Sequence, residues 1–113
     1  MIRIQNITSE PIQRHTIIFQ ESEITLVLRF YPRNQVWCFD AEYKDWAVYG
    51  IKLSLGVRHI KSQNKPFDFF VTDRSNNGID PFRSNDFSGD RCRLYMFEPD
   101  EMVNIRGGAE VPI

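Results

Sequence analysis

The residues whose types come nearest to a recognisable chemistry are Asp73-Arg-Ser75-Asn-Asn77-Gly78. Oxygen-bearing side chains at alternate positions, followed by a glycine that allows a sharp turn, are how a calcium loop opens. The same pattern requires a bidentate glutamate at its last position, and Ser84 stands there. Asn77-Gly78 is a turn signal in its own right. The segment therefore reads as a polar turn and not as a metal site.

The other candidates for chemistry are scattered. His15 and His59 are the only histidines, far apart in the chain, and neither adjoins a serine or cysteine in a nucleophile motif. Asp40 and Glu42 would share one face of a strand, whereas the paired carboxylates of a glycosidase flank a cleft from different elements. Cys38 and Cys92 fall on different strands with no metal-site spacing, which predicts two reduced, partly buried thiols. Asn6-Ile7-Thr8 spells a glycosylation sequon that acts only in a secreted chain. Arg58, Lys61 and Lys65 form a modest basic group that could meet a single strand of nucleic acid. No nucleophile–base pair and no ligand set emerges, so the residues predict no catalytic site, no cofactor and no metal.

Composition narrows the class. The chain has 113 residues, of which 42% are apolar and 13% aromatic, with nine Phe, four Tyr and two Trp. This suits one packed domain, and aromatic residues favour both strands and contact surfaces. Fourteen basic side chains against fifteen acidic ones give a net charge of −1. Near-neutrality argues against general nucleic-acid binding and against attraction to anionic membranes. The apolar runs are too short to span a bilayer as a helix. Met1-Ile-Arg-Ile-Gln-Asn alternates like a strand and lacks the apolar block of a signal peptide, so synthesis in a reducing cytoplasm is expected.

The elements that would position these residues are strands. Ile24, Leu26, Leu28 and Phe30 alternate with polar residues, as do Trp37, Phe39, Ala41 and Tyr43. A period of two belongs to half-buried strands and cannot be laid on one helix face. Pro32 and Asn34 mark a hairpin turn between these runs, and Lys44-Asp45 marks a second turn before Trp46–Leu53. Further strands are expected at Ile2–Ile7, Gln13–Gln20, Phe67–Thr72 and Arg91–Phe97, with a helical turn at most around Ser54–Gln63. The fold predicted is all-β, a small antiparallel barrel or sandwich of roughly six to eight strands. Its core should include Leu26, Leu28, Phe30, Trp37, Phe39, Leu53, Phe69, Leu94 and Tyr95. Residues 1–98 form the domain, and residues 99–113 form a C-terminal arm hinged at Gly107-Gly108.

Asp73–Asp90 is a long polar connection of the kind that often binds or orders something. Isolated apolar side chains along polar segments gain little in a monomer but can dock into a partner. On that ground Ile79, Phe82 and Phe87 in the loop, and Met102, Val103 and Ile105 in the arm, are the candidate partner-binding residues.

One resemblance reaches further. The order Leu-Arg-Phe-Tyr-Pro-Arg-Asn-Gln-Val-Trp-Cys-Phe-Asp, followed by Tyr-Gly-Ile-Lys-Leu-Ser-Leu-Gly-Val, resembles the baseplate plug family of contractile-tailed bacteriophages. The matching features are the aliphatic strand and turn of Leu26–Asn34, the tryptophan-led strand Trp37–Asp40, the segment Gly50–Gly56 and the final strand Arg91–Phe97. Together they span about Gln13 to Glu98. The chain departs from the family at its turn, Tyr31-Pro32-Arg33-Asn34 in place of an Asn-rich one, and in its longer C-terminal arm. The resemblance implies a non-enzymatic virion component near the tail axis. It would join hub, spike, tube or sheath-initiator proteins in several symmetric copies, be made in the host cytoplasm and need no cofactor. The competing reading is a small β-barrel binding module for single-stranded nucleic acid or glycan, with Trp37, Trp46 and Tyr49 as stacking platforms.

Overall fold

The computed structural model describes residues 2–63 and 65–98. Among them lie seven strands: β1 Ile2–Arg3, β2 Ile12–Phe19, β3 Ser22–Tyr31, β4 Val36–Tyr43, β5 Trp46–Lys52, β6 Asp68–Asp73 and β7 Cys92–Phe97. A single turn of 3-10 helix, Lys61–Gln63, is the only helical element in this part of the chain. All the strand pairs are antiparallel, in a four-stranded sheet ordered β2-β3-β4-β5 and a three-stranded sheet ordered β1-β7-β6. The arrangement is an open sandwich and not a closed barrel.

The four-stranded sheet follows directly from the alternation. Ile24, Leu26, Leu28, Trp37, Phe39 and Ala41 are fully buried on its inner face. Gln20 and Glu21 both adopt positive φ, 48° and 66°, which gives the two-residue β2–β3 turn the twist a tight hairpin needs. In the β3–β4 turn the left-handed residue is Gln35, φ 53°, and not Asn34 as its residue type suggests. Lys44, φ 55°, occupies that conformation in the β4–β5 turn. Between the Phe39–Ile51 and Ala41–Val48 pairs, Tyr49 and Gly50 face Asp40 alone, which makes a bulge. Asp40 stabilises it by accepting the Gly50 amide at 2.8 Å. That carboxylate also pairs with Arg29 at 3.2 Å, so its work is structural.

The two inner faces meet through aromatic rings. Phe39 packs edge-on to Phe69 at 5.3 Å between centroids, and Phe67 contacts Tyr43, Trp46, Phe19 and Phe69. Such T-shaped pairs match the positive ring edge to the negative face. Phe67 precedes β6, and the strand begins at Asp68. Asp68 is completely buried, and its carboxylate accepts the Ile60 amide at 2.9 Å and pairs with Arg58 at 3.1 Å.

Three expectations need correction. The first strand is short: beyond Arg3 only the Ile4 amide reaches Leu94 O, at 2.8 Å, and Asn6 turns left-handed at φ 63°. Phe30 is only partly buried, tilted against Trp37 at the end of its strand. Tyr95 is buried, but on the outer face of the three-stranded sheet. Its neighbours Leu94 and Met96 point inward, and adjacent strand residues must face opposite ways. Phe70 and Phe97 share that outer face, 5.2 Å apart, and they too are buried. β6 and β7 are therefore apolar on both faces and lack the clean alternation of β3 and β4.

Candidate partner-binding surface

The long connection between β6 and β7 is ordered by three charged side chains. Asp73, at the end of β6, accepts the Ser75 amide and hydroxyl and the Ile79 amide, which fixes the first turn. Short carboxylates that bind their own backbone a few residues on favour turns in this way. Asp86 accepts the Phe82 amide at 2.7 Å and the Arg83 amide at 2.8 Å, fixing the second turn. Arg91, just before β7, joins the two. It binds both oxygens of Asp86 at 2.9 Å, lies 3.3 Å from Asp73, and donates to the carbonyls of Ile79 and Asp80 at 3.0 Å.

The electrostatics follow from that geometry. Burial acts to raise the carboxyl groups of Asp73 and Asp86, but hydrogen bonds and the Arg91 charge outweigh it and hold both below the usual range. Arg91 is held above its usual value chiefly by its bonds to Asp86. The calcium-like segment is thus explained by a cation already present. The Arg91 guanidinium lies against one oxygen of Asp73, and the hydroxyl of Ser75 donates to the other.

The rest of the connection is pinned to the sandwich. The Trp37 indole donates to Arg83 O at 2.9 Å, and the Phe87 ring stands edge-on to Trp37 at 5.4 Å. Asp80 accepts the Leu55 amide at 2.9 Å. Gly89 donates to Asn85 O at 2.7 Å, and a Cβ on this glycine would lie 2.8 Å from that oxygen.

This arrangement sorts the candidate partner-binding residues. Ile79 is 46% exposed. Phe82 is half-buried, its ring beneath the guanidinium groups of Arg83 and Arg91 at 4.9 and 5.4 Å. Phe87 is 5% exposed and belongs to the core, so it is not a free anchor. Nothing in its immediate sequence distinguishes it from Phe82; the difference arises because Trp37, far away in the chain, offers a ring and an indole N–H. Met102, Val103 and Ile105 lie outside the described residues.

The remaining candidates are also placed. His59 donates from Nδ1 to Phe69 O at 2.8 Å and accepts the Ser54 amide at Nε2 at 2.9 Å. Both nitrogens are engaged with backbone, and burial keeps the ring neutral by pushing its pKa down. His15 stands elsewhere, on β2, 2.9 Å from Gln13. Burial raises both thiols, Cys92 to about 12, and both are free. Of the supposed stacking platforms, Trp37 is fully buried, Trp46 lies under Lys65 and beside Gln63, and only Tyr49 is widely exposed, at 67%. The basic group is dissolved too, because Arg58 turns inward to Asp68. These placements overturn the platform reading.

Exposed apolar residues that spacing alone did not single out occur on β2. Ile12 and Ile18 are 63% and 65% exposed, on the strand whose outer edge borders a groove shared with β1. Only Arg14 is charged on that strand, so the edge is weakly defended against strand addition.

Together these features define a small β-sandwich in which Asp68, Asp73, Asp86, Arg91 and the His59 ring hold loops, and whose exposed features include strand edges and loop side chains. Such a body is suited to assembly. The family model described as cyanophage baseplate Pam3 plug gp18 matches residues 1–99. The chain belongs to this phage baseplate plug family and is thereby a structural component of the virion's tail baseplate. Comparison with curated proteins returns no match.

Proposed function

We propose that this protein plugs the baseplate near the tail axis, joining hub or spike proteins to tube or sheath-initiator proteins in several symmetric copies. The observation that carries the reading is the family match over residues 1–99, which takes in every described element of the sandwich. The protein acts without catalysis and without a cofactor. It is made in the host cytoplasm and enters the virion by association. Residues 1–98 form the folded body and residues 99–113 an arm.

Contacts with neighbours are made by Ile79 and Phe82 on the β6–β7 connection and by Met102, Val103 and Ile105 on the arm. Ile79 supports this by its exposure, and Phe82 by a ring already backed by two guanidinium groups. A rigid, pre-ordered loop loses little entropy on docking. Quantitative mass spectrometry of purified tails tests the proposal. A fixed ratio to the hub and tube proteins is expected, and absence from purified tails would overturn it.

A further inference from the structure

Three guanidinium groups converge on one carboxylate at one end of the outer face of the three-stranded sheet. Asp90, held in left-handed backbone at φ 65°, accepts Arg3 Nη2 at 2.8 Å and Arg93 through Nε at 2.9 Å and Nη2 at 3.1 Å. Arg74 donates to the same carboxylate. Arg3 comes from β1, Arg93 from β7, and Arg74 follows β6, so the whole sheet is needed to assemble the group. The cluster is accessible, with side-chain exposures of 34% for Arg3, 53% for Arg74 and 28% for Arg93.

One carboxylate leaves three guanidinium groups with a surplus of two positive charges, and the adjacent acids offset only one of them. Asp73 and Asp86 share the one guanidinium of Arg91, so that trio carries a single negative charge and the whole neighbourhood stays net positive. Arg3 and Arg74 each give Asp90 a single N–H, and among the described residues their other donors have no carboxylate partner. Thr72, Asn76 and Tyr95 border the same pocket with neutral polar atoms, and the one acid that also borders it, Asp73, is nearly buried and turned to Arg91.

The chemistry selects the partner. A phosphate backbone is followed by an extended positive stripe. Here Arg91, the next cation along the chain, is taken up by Asp73 and Asp86, and among the described residues no cation besides Arg74 and Arg93 lines the pocket. A compact group of fork-shaped guanidinium donors instead fits a few fixed carboxylates, which each can accept two parallel N–H bonds.

We propose that Arg3, Arg74 and Arg93 form the docking point for an acidic segment of a neighbouring baseplate protein, whose carboxylates complete the neutralisation that Asp90 begins. The proposal rests on the baseplate reading above. It makes this end of the sheet a charge-specified contact, distinct from the apolar contacts of Ile79 and Phe82. Complementary charge at such a site fixes register and rejects wrong partners.

The test uses phage whose copy of this protein carries Arg74→Glu, Arg74→Lys, or Arg33→Glu in the β3–β4 turn as a remote control. Copies per purified tail are counted, and thermal unfolding of each isolated protein is recorded. Arg74→Glu should lower incorporation about tenfold or more while unfolding like the parent, because it sets like charges against each other. Arg33→Glu should incorporate normally, and Arg74→Lys, which keeps the charge but loses the paired N–H bonds, should fall between it and Arg74→Glu. Normal incorporation of Arg74→Glu, or equal loss with Arg74→Lys, would overturn the proposal. In parallel, fluorescence anisotropy follows binding of the isolated protein to a labelled oligothymidylate. Binding abolished by Arg74→Glu, with incorporation unchanged, would assign the cluster to phosphate and overturn it too. Absence of even the parent protein from tails would instead refute the baseplate reading itself.

Discussion

Arg91 meets Asp86 side by side, Nε to Oδ1 and Nη2 to Oδ2, each at 2.9 Å. The pair closes a long, mostly polar connection, and Asp86 is 4% exposed. Backbone amides of Phe82 and Arg83 complete the carboxylate, and the Asp86 carbonyl accepts the Cys92 amide at 2.9 Å. The loop is thus tied to the first residue of β7 from both sides.

Removing the cation should cost more than its exposure suggests. Arg91→Ala leaves a buried Asp86 and a neighbouring Asp73 without their counter-charge. Breaking such a pair costs about 3–5 kcal/mol when fully buried, and about 3 kcal/mol is expected for this partly exposed one. Chemical denaturation of the isolated variant measures it, and a loss below about 1 kcal/mol, the scale of a surface pair, would show that the pair does not order the loop.

The two loop phenylalanines should part company. Phe87→Ser is expected to destabilise the sandwich by at least the roughly 3–5 kcal/mol of a buried Phe→Ala change. Phe82→Ser should cost far less and leave the fold intact. Denaturation midpoints of both variants decide the matter, with equal midpoints contradicting the placement of Phe87 against Trp37.

Stability should fall as pH drops below neutrality. Burial lowers the His59 pKa from its ordinary 6.5, and this outweighs the opposing pull of its bond to Phe69 O and the charges of Asp68 and Asp80. The unfolded chain therefore takes up a proton that the folded one resists. Stability is complete above 6.5 and declines from there down to the folded-state value. His59→Phe should flatten this slope even though it leaves the Ser54 amide without its acceptor. Unfolding free energies across that window, measured for both proteins, are the check; an unchanged slope in the variant would contradict the assignment.

Gly89 should not tolerate a side chain. Its φ is ordinary, so the constraint is the Asn85 carbonyl, 2.8 Å from where a Cβ would lie. Because that atom is backbone, the loop must shift, and Gly89→Ala should cost about 1–3 kcal/mol. Gly56→Ala has open space but a positive φ of 67°, so any cost there comes from backbone strain alone. Comparing the two variants by thermal unfolding separates contact from conformation, and a Gly89→Ala protein as stable as the parent would contradict the contact.

Much of the four-stranded sheet was legible because it is sequential: each strand pairs with the next, and one buried face imposes a period of two. The three-stranded sheet was harder to read for the same physical reason. β1 pairs with β7 across most of the chain, β6 reaches β7 only across the long connection, and β6 and β7 are apolar on both faces. Leu94 and Tyr95 were both expected inside, although adjacent strand residues cannot share a face. The Asp73–Asp90 segment was visible as a loop, but its order was not, because Asp86 and Arg91 acquire their roles only when the turns bring them together. Phe87 looked like an anchor until Trp37 supplied its pocket. The arginines around Asp90 come from three separate stretches of chain, which no spacing rule connects.

The most direct test of a plug at the tail axis is cryo-electron microscopy of an intact tail containing this protein. The account predicts density for the two-sheet sandwich on or around the axis, with hub or spike density on one side and tube or sheath-initiator density on the other. Density for the sandwich only on the outer wedges or along the sheath, with the axis filled by another protein, would contradict it.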